Sequence, residues 1–125
     1  MYLDTSAAVK LLVEEAESVA FARLMDDPQT TWVSSVLLEC EMRRFAVRHD
    51  LPQVEVTDVL DAVSLYDMPR SLFYEAGILA GKTLRSLDAL HLVSSIRIGA
   101  DAVATYDARM QEAAGDLGLT VVAVP

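Results

Sequence analysis

Apolar positions along this chain fall into short continuous runs separated by stripes of helical spacing. The first run, Tyr2-Leu3, closes on Asp4 and reads as a very short strand. From Ser6 to Glu15, Ala7, Leu11 and Glu14 share one helical face that Thr5 or Ser6 can cap. Ala16 to Met25 continues helical, with Val19, Ala20, Arg23 and Leu24 in step, until Asp26-Asp27-Pro28 stops it. Thr31 to Ser34 is β-branched and aromatic, hence a second strand. Helical patterning then runs from Ser35 to His49, from Gln53 to Tyr66 on the face Val56, Val59, Leu60 and Val63, and from Pro69 to Leu84. Asp50-Leu51-Pro52 and Met68-Pro69 separate these helices. Gly77 and Gly81, four apart, suggest close helix packing in the third of them. Ser86 can cap a helix over Leu87 to Ile98 that Gly99 ends. Ala102 to Thr105 is a third strand, Asp107 to Leu117 a helix closed by Gly118, and Thr120 to Val124 a last strand.

This order predicts an α/β fold: a small parallel sheet of four to five short strands flanked by about seven helices, an α/β/α sandwich. The stretch from Ser35 to Ile98 is expected to contain helices only, so the alternation is irregular. A chain of 125 residues is expected to form a single domain over 1–125, and its 53% hydrophobic content is too high for intrinsic disorder. No run of about 18 apolar residues exists, so no membrane helix is expected. Met1-Tyr2-Leu3-Asp4 lacks the basic and apolar regions of a secretory leader, and Cys40 is the only cysteine. A cytoplasmic protein without disulfides or a cysteine zinc site is the expectation.

Candidate chemistry comes from acids. In parallel sheets ligands bind at the carboxyl ends of the strands, where Asp4 and Asp107 fall. Each alone reads as a helix cap; two on neighbouring strands point to a cation or phosphate site. Glu41 interrupts the apolar line Leu37 to Phe45, and an inward carboxylate needs a partner or a metal. Glu39, two residues earlier, competes for that role but has Arg43 four residues on, the spacing of a surface ion pair. Asp88 opens a helix, where its charge suits the dipole, yet lies between apolar neighbours. His91, among Leu90, Leu92 and Val93, reads as a hydrogen-bonded packing residue. Asp4, Glu41, Asp88 and Asp107 thus have reasons to converge, and an all-oxygen set suits Mg²⁺ or Mn²⁺. Neither a nucleophile elbow nor a Gly-rich phosphate loop is present.

Four segments carry a resemblance. Leu3-Asp4-Thr5-Ser6-Ala7, Glu41-Met42-Arg43-Arg44, Leu84 to Leu92 (Leu-Arg-Ser-Leu-Asp-Ala-Leu-His-Leu) and Gly99 to Asp107 (Gly-Ala-Asp-Ala-Val-Ala-Thr-Tyr-Asp) occur in the order seen in PIN-domain proteins. Among these the chain most resembles the VapC-type ribonuclease toxins of type II toxin–antitoxin systems. The resemblance implies a metal-dependent endoribonuclease with Asp4, Glu41, Asp88 and Asp107 as catalytic metal ligands. It implies that Ser6 and Thr105 stand behind those acids. It further implies a homodimer, an RNA substrate (tRNA, rRNA or mRNA) and a cognate antitoxin that inhibits by setting a basic side chain against the acids. Arg43, Arg44 and Arg48, or Lys82 and Arg85, are candidate RNA contacts. A receiver-like signalling domain would need evenly alternating strands and a late lysine, neither of which is seen. A non-catalytic PIN-like module and a small-ester phosphohydrolase remain as alternatives that a nuclease assay separates.

A net charge of −9 argues at first against nucleic acid. Its distribution removes the objection. Four acids are the candidate ligands; five more (Asp50, Glu55, Asp58, Asp61 and Asp67) lie in a stretch without Lys or Arg. The remaining acids and bases balance, so RNA is expected to approach away from residues 50–69.

Overall fold

A computed structural model describes all 125 residues. Five strands form one parallel sheet: β1 (Tyr2–Leu3), β2 (Val33–Ser35), β3 (Ser64–Tyr66), β4 (Ala102–Ala104) and β5 (Thr120–Val122). Seven helices surround it: α1 (Thr5–Ala8), α2 (Ser18–Met25), α3 (Leu37–Arg48), α4 (Gln53–Asp61), α5 (Arg70–Gly77), α6 (Ser86–Ile98) and α7 (Ala108–Asp116). The strand order is β3-β2-β1-β4-β5, which puts β1 at the centre.

Alternation along β1 explains the two layers, because successive side chains leave a strand on opposite faces. Leu3 joins the larger core with Ala7, Ala8, Phe21, Leu38, Met42, Val56 and Leu60, from α1 to α4. Tyr2 packs with its register partners Val33 and Val103, and its ring meets His91 of α6 edge-on. Leu72 and Ala76 of α5 pack on Ala89, Leu90 and Val93 of α6, while Leu92 meets Met110 and Ala114 of α7. Central strands buried on both faces are the condition of an all-parallel sheet.

Four readings of the sequence are corrected. The stretch Ser35 to Ile98 does contain a strand: α4 ends at Asp61 and Ser64–Tyr66 pairs with β2. As an edge strand with Ser64 and Tyr66 exposed, it carries no apolar alternation. The helix from Pro69 stops at Gly77 rather than Leu84. Gly81 has φ +123°, a turn conformation rather than a helical one, and no atom lies near a Cβ built on Gly77. The two glycines therefore do not pack helices together. The first helix is likewise short, passing into a 3₁₀ turn at Val9–Leu11. Gly99 ends α6 as expected, in the left-handed conformation at φ 77°.

Candidate active site

β2 and β3 lie to one side of β1, and β4 and β5 to the other. The winding reverses between β1 and β4, and such a reversal leaves a crevice at the carboxyl ends of the two strands. Asp4 follows β1, and its N–H bonds Ala104 O at 3.1 Å. Thr105 and Asp107 follow β4.

Asp4 is only 5% exposed. It stands at the N-cap position of α1, yet its carboxylate makes no capping bond. Instead Oδ2 accepts from Ser6 Oγ at 2.8 Å and from Thr105 Oγ1 at 2.7 Å. Those two hydroxyls are 3.0 Å apart. Each is fixed further by the backbone: Tyr106 N–H donates to Ser6 Oγ at 2.9 Å, and Asp107 N–H to Thr105 Oγ1 at 3.2 Å. Asp107 does cap its helix, Oδ1 accepting from Met110 N–H at 3.0 Å.

Glu41 reaches the same region from α3. Its Oε1 accepts from Thr5 Oγ1 at 2.8 Å and faces His91 Nε2 at 2.5 Å. Glu39 pairs with Arg43 Nε at 3.0 Å, on the outward side. His91 is the residue the sequence reading leaves out of the site. It is 1% exposed, and its Nε2 also lies 3.8 Å from Asp4 Oδ1. The available signal was its spacing: three residues after Asp88, it shares that helix face. Burial by itself pushes the imidazole down, but the hydrogen bond to Glu41, with the charges of Asp4 and Glu41, outweighs it and raises the pKa to about 10.

Asp88 sits in the first turn of α6, half-buried, and its buried Oδ2 has no hydrogen-bond partner. Burial pushes its carboxyl above the ordinary aspartate range, and the charges of Asp107 and Asp4 push it further. Asp88 thus feels the other two acids directly. No three Asp, Glu, His or Cys side chains form a ready-made cation cage. Asp88 is a partly buried acid with one unpaired oxygen, and the charges of two other carboxylates act on it.

The donor chemistry nevertheless fits such a cation. Asp4, Glu41 and Asp107 each have one oxygen held by protein donors, and Asp88 has a buried oxygen held by none. All are hard oxygen donors of the type Mg²⁺ and Mn²⁺ take.

The candidate RNA contacts divide. Arg43 is committed, to Glu39 and also to Gln53 Oε1 and Thr57 Oγ1. Arg44, Arg48, Lys82 and Arg85 are exposed. Arg85 stands at the N-cap position of α6, three residues before Asp88. Arg109, in the first turn of α7 and not among the sequence candidates, lowers the Asp88 pKa by its charge.

Known proteins resemble this chain in sequence and in fold. The PIN domain family profile matches residues 1–116. Ribonuclease VapC35 of Mycobacterium tuberculosis is 38% identical over 130 aligned positions, covering 98% of this chain and 96% of the relative. Ribonuclease VapC46 of the same organism is 37% identical, with the same coverage of each. The crystal structure of M. tuberculosis VapC20, described as a sarcin-ricin loop cleaving toxin, superposes with a TM-score of 0.72. It covers 90% of this chain and 93% of its own at 16% identity, a likeness of fold alone.

Proposed function

This chain belongs to the PIN-domain family, among the VapC-type ribonucleases, and from that premise we propose that it is a divalent-metal-dependent endoribonuclease, the toxin of a toxin–antitoxin pair. One observation carries the reading: at the sheet's switch point the buried Asp88 Oδ2 lacks any protein partner, and the charges of Asp107 and Asp4 act on that carboxyl. Asp4, Glu41, Asp88 and Asp107 would hold Mg²⁺ or Mn²⁺. Such an ion supplies charge neutralisation at the phosphate and lowers the pKa of a water that attacks it.

The chain's own residues prepare that chemistry. Ser6 and Thr105 hold Asp4 Oδ2 in place. The cap bond fixes Asp107. Arg85 and Lys82, in and beside the turn before α6, can bind flanking phosphates near the acids without entering among them. The acidic segment 50–69 forms α4 and the edge strand β3, two strands removed from β1. RNA would therefore enter from the β4 side. In the same reading a cognate antitoxin occupies the acids with an Arg or Lys, the protein is a homodimer, and it works in the cytoplasm as one domain. No helix is long and apolar enough to cross a membrane.

The test is incubation of the purified protein with total tRNA and rRNA in Mn²⁺, in Mg²⁺ and in EDTA. Discrete fragments with metal and none in EDTA are expected. Cleavage that survives EDTA, or no cleavage of any RNA, overturns the proposal. Salt dependence gives a second check. Arg85→Ala should raise KM for RNA several-fold and flatten its rise with salt, since each phosphate contact releases counterions. Arg43→Ala should leave both unchanged, because its guanidinium is already engaged.

A further inference from the structure

Glu41 is the outlier among the four acids. Asp4 and Asp107 leave strand ends, and Asp88 leaves the first turn of a helix, all on short side chains. Glu41 comes from the second turn of α3 on a side chain with one more rotatable bond, whose fixing costs about 1.5–2 kcal/mol of rotamer entropy. Something must hold it.

Two donors do. Thr5 Oγ1 bonds Oε1 at 2.8 Å, and His91 Nε2 stands 2.5 Å from the same oxygen. Oε2 is left without a protein partner. His91 is itself held from behind: its Nδ1 is 2.7 Å from Tyr2 Oη, which donates to Ser35 Oγ at 3.2 Å. Tyr2, Ser35 and His91 are all buried, at 0–1% exposure. Facing a carboxylate, Nε2 must carry a hydrogen; Nδ1 then donates to Tyr2 Oη in the imidazolium, or accepts the phenolic hydrogen, in place of Ser35, in the neutral Nε2–H tautomer. The chain Ser35–Tyr2–His91–Glu41 thus runs from β2 through β1 and α6 to α3. Because His91 and Asp88 share α6, one helix both carries an acid and fixes another.

We propose that His91 is a positioning residue, whose Nε2–H fixes Oε1 of Glu41 so that Oε2 stays free for the cation, with Tyr2 locking the imidazole. The inference rests on the metal-dependent reading of this site. Outer partners of ligating groups typically contribute about 10–100-fold to metal affinity or activity.

Three variants of the full chain test it: His91→Leu, His91→Gln and Tyr2→Phe. Mn²⁺ affinity is read by calorimetry, kcat and KM on RNA, and Tm in EDTA. His91→Leu should weaken Mn²⁺ binding by about 10–100-fold and lower kcat with little change in KM. His91→Gln, which keeps an N–H near the Nε2 position, should recover most of both. Tyr2→Phe removes one oxygen from a buried ring and should lie between. A histidine that merely packs would move Tm and leave Mn²⁺ affinity at the wild-type value; that result, or tighter binding, overturns the proposal. If His91→Leu does not fold, Tyr2→Phe decides by the same criterion. Wild-type protein that binds no Mn²⁺ sinks the metal-dependent reading and this inference together. Wild-type protein that binds Mn²⁺ and cuts RNA, with variants indistinguishable from it, sinks this inference alone.

Discussion

Asp88→Asn should abolish metal-dependent RNA cleavage and, in EDTA, raise the melting temperature by a few degrees. The two effects share one cause. The Asp88 carboxylate is half-buried with Oδ2 unpartnered, and it faces the charges of Asp107 and Asp4. An amide of the same shape removes the repulsion and the desolvation of charge, at the loss of a small helix-dipole contribution. It also removes the anionic oxygen a cation needs. A bound metal contributes several kcal/mol of charge stabilisation, and about 1.4 kcal/mol is tenfold in rate, so the loss should be roughly a thousandfold. The sign with pH follows from the raised pKa. A carboxyl held above its unfolded value destabilises the fold fully above the folded pKa and not at all below the unfolded one. The Tm advantage of the asparagine variant should therefore shrink as pH falls toward the ordinary aspartate range. An asparagine variant that is less stable in EDTA, or that still cleaves, contradicts this account. Strain kept for function and relieved by a disabling substitution is the usual form of a stability–activity trade-off.

The acids were legible because each occupies a position that simple rules single out. Asp4 and Asp107 close strands, Asp88 opens a helix among apolar neighbours, and Glu41 breaks an apolar line. Spacing also separated Glu41 from Glu39, whose pairing with Arg43 appears as the i, i+4 rule expects. The capping alternative for Asp4 could only be judged in three dimensions. The cap position is occupied, but the carboxylate turns to Ser6 and Thr105, a hydroxyl 101 residues away in sequence. Local patterning holds no record of so distant a partner.

The errors have the same origin. Val63 continues the helical face of Val56, Val59 and Leu60, so the three-residue strand that follows is masked by a helical period. Only pairing to Val33–Ser35 makes it a strand. His91 was placed among its apolar neighbours, correctly, since Leu92 and Val93 are buried with it. Its function depends on Tyr2 and Glu41, which reach it from other elements. Arg43 looked available to RNA because the sequence does not show that α4 would bring Gln53 and Thr57 against it.

Thr105→Val should lower stability by about 2–3 kcal/mol in urea unfolding, the opposite sign to Asp88→Asn. Thr105 is fully buried, and its Oγ1 does two things that valine cannot. It donates to Asp4 Oδ2 at 2.7 Å and accepts from Asp107 N–H at 3.2 Å. Shape is nearly kept, so no cavity contributes. What is lost is one of two donors to a buried carboxylate, and hydrogen bonds to charged groups are worth about 1.5–3 kcal/mol. Cleavage should fall as well, because Asp4 is then restrained by Ser6 alone. Thr105→Ser keeps the hydroxyl and should retain activity with a smaller stability loss. The decisive measurement is the double-mutant cycle with Asp4→Asn. If the threonine acts through the aspartate's charge, the two losses overlap and the pair costs less than their sum, by an amount in the 0.5–3 kcal/mol range of contacting residues. Strict additivity would mean that Thr105 stabilises the turn to α7 on its own account, and that Asp4 is held by the backbone and Ser6 without it.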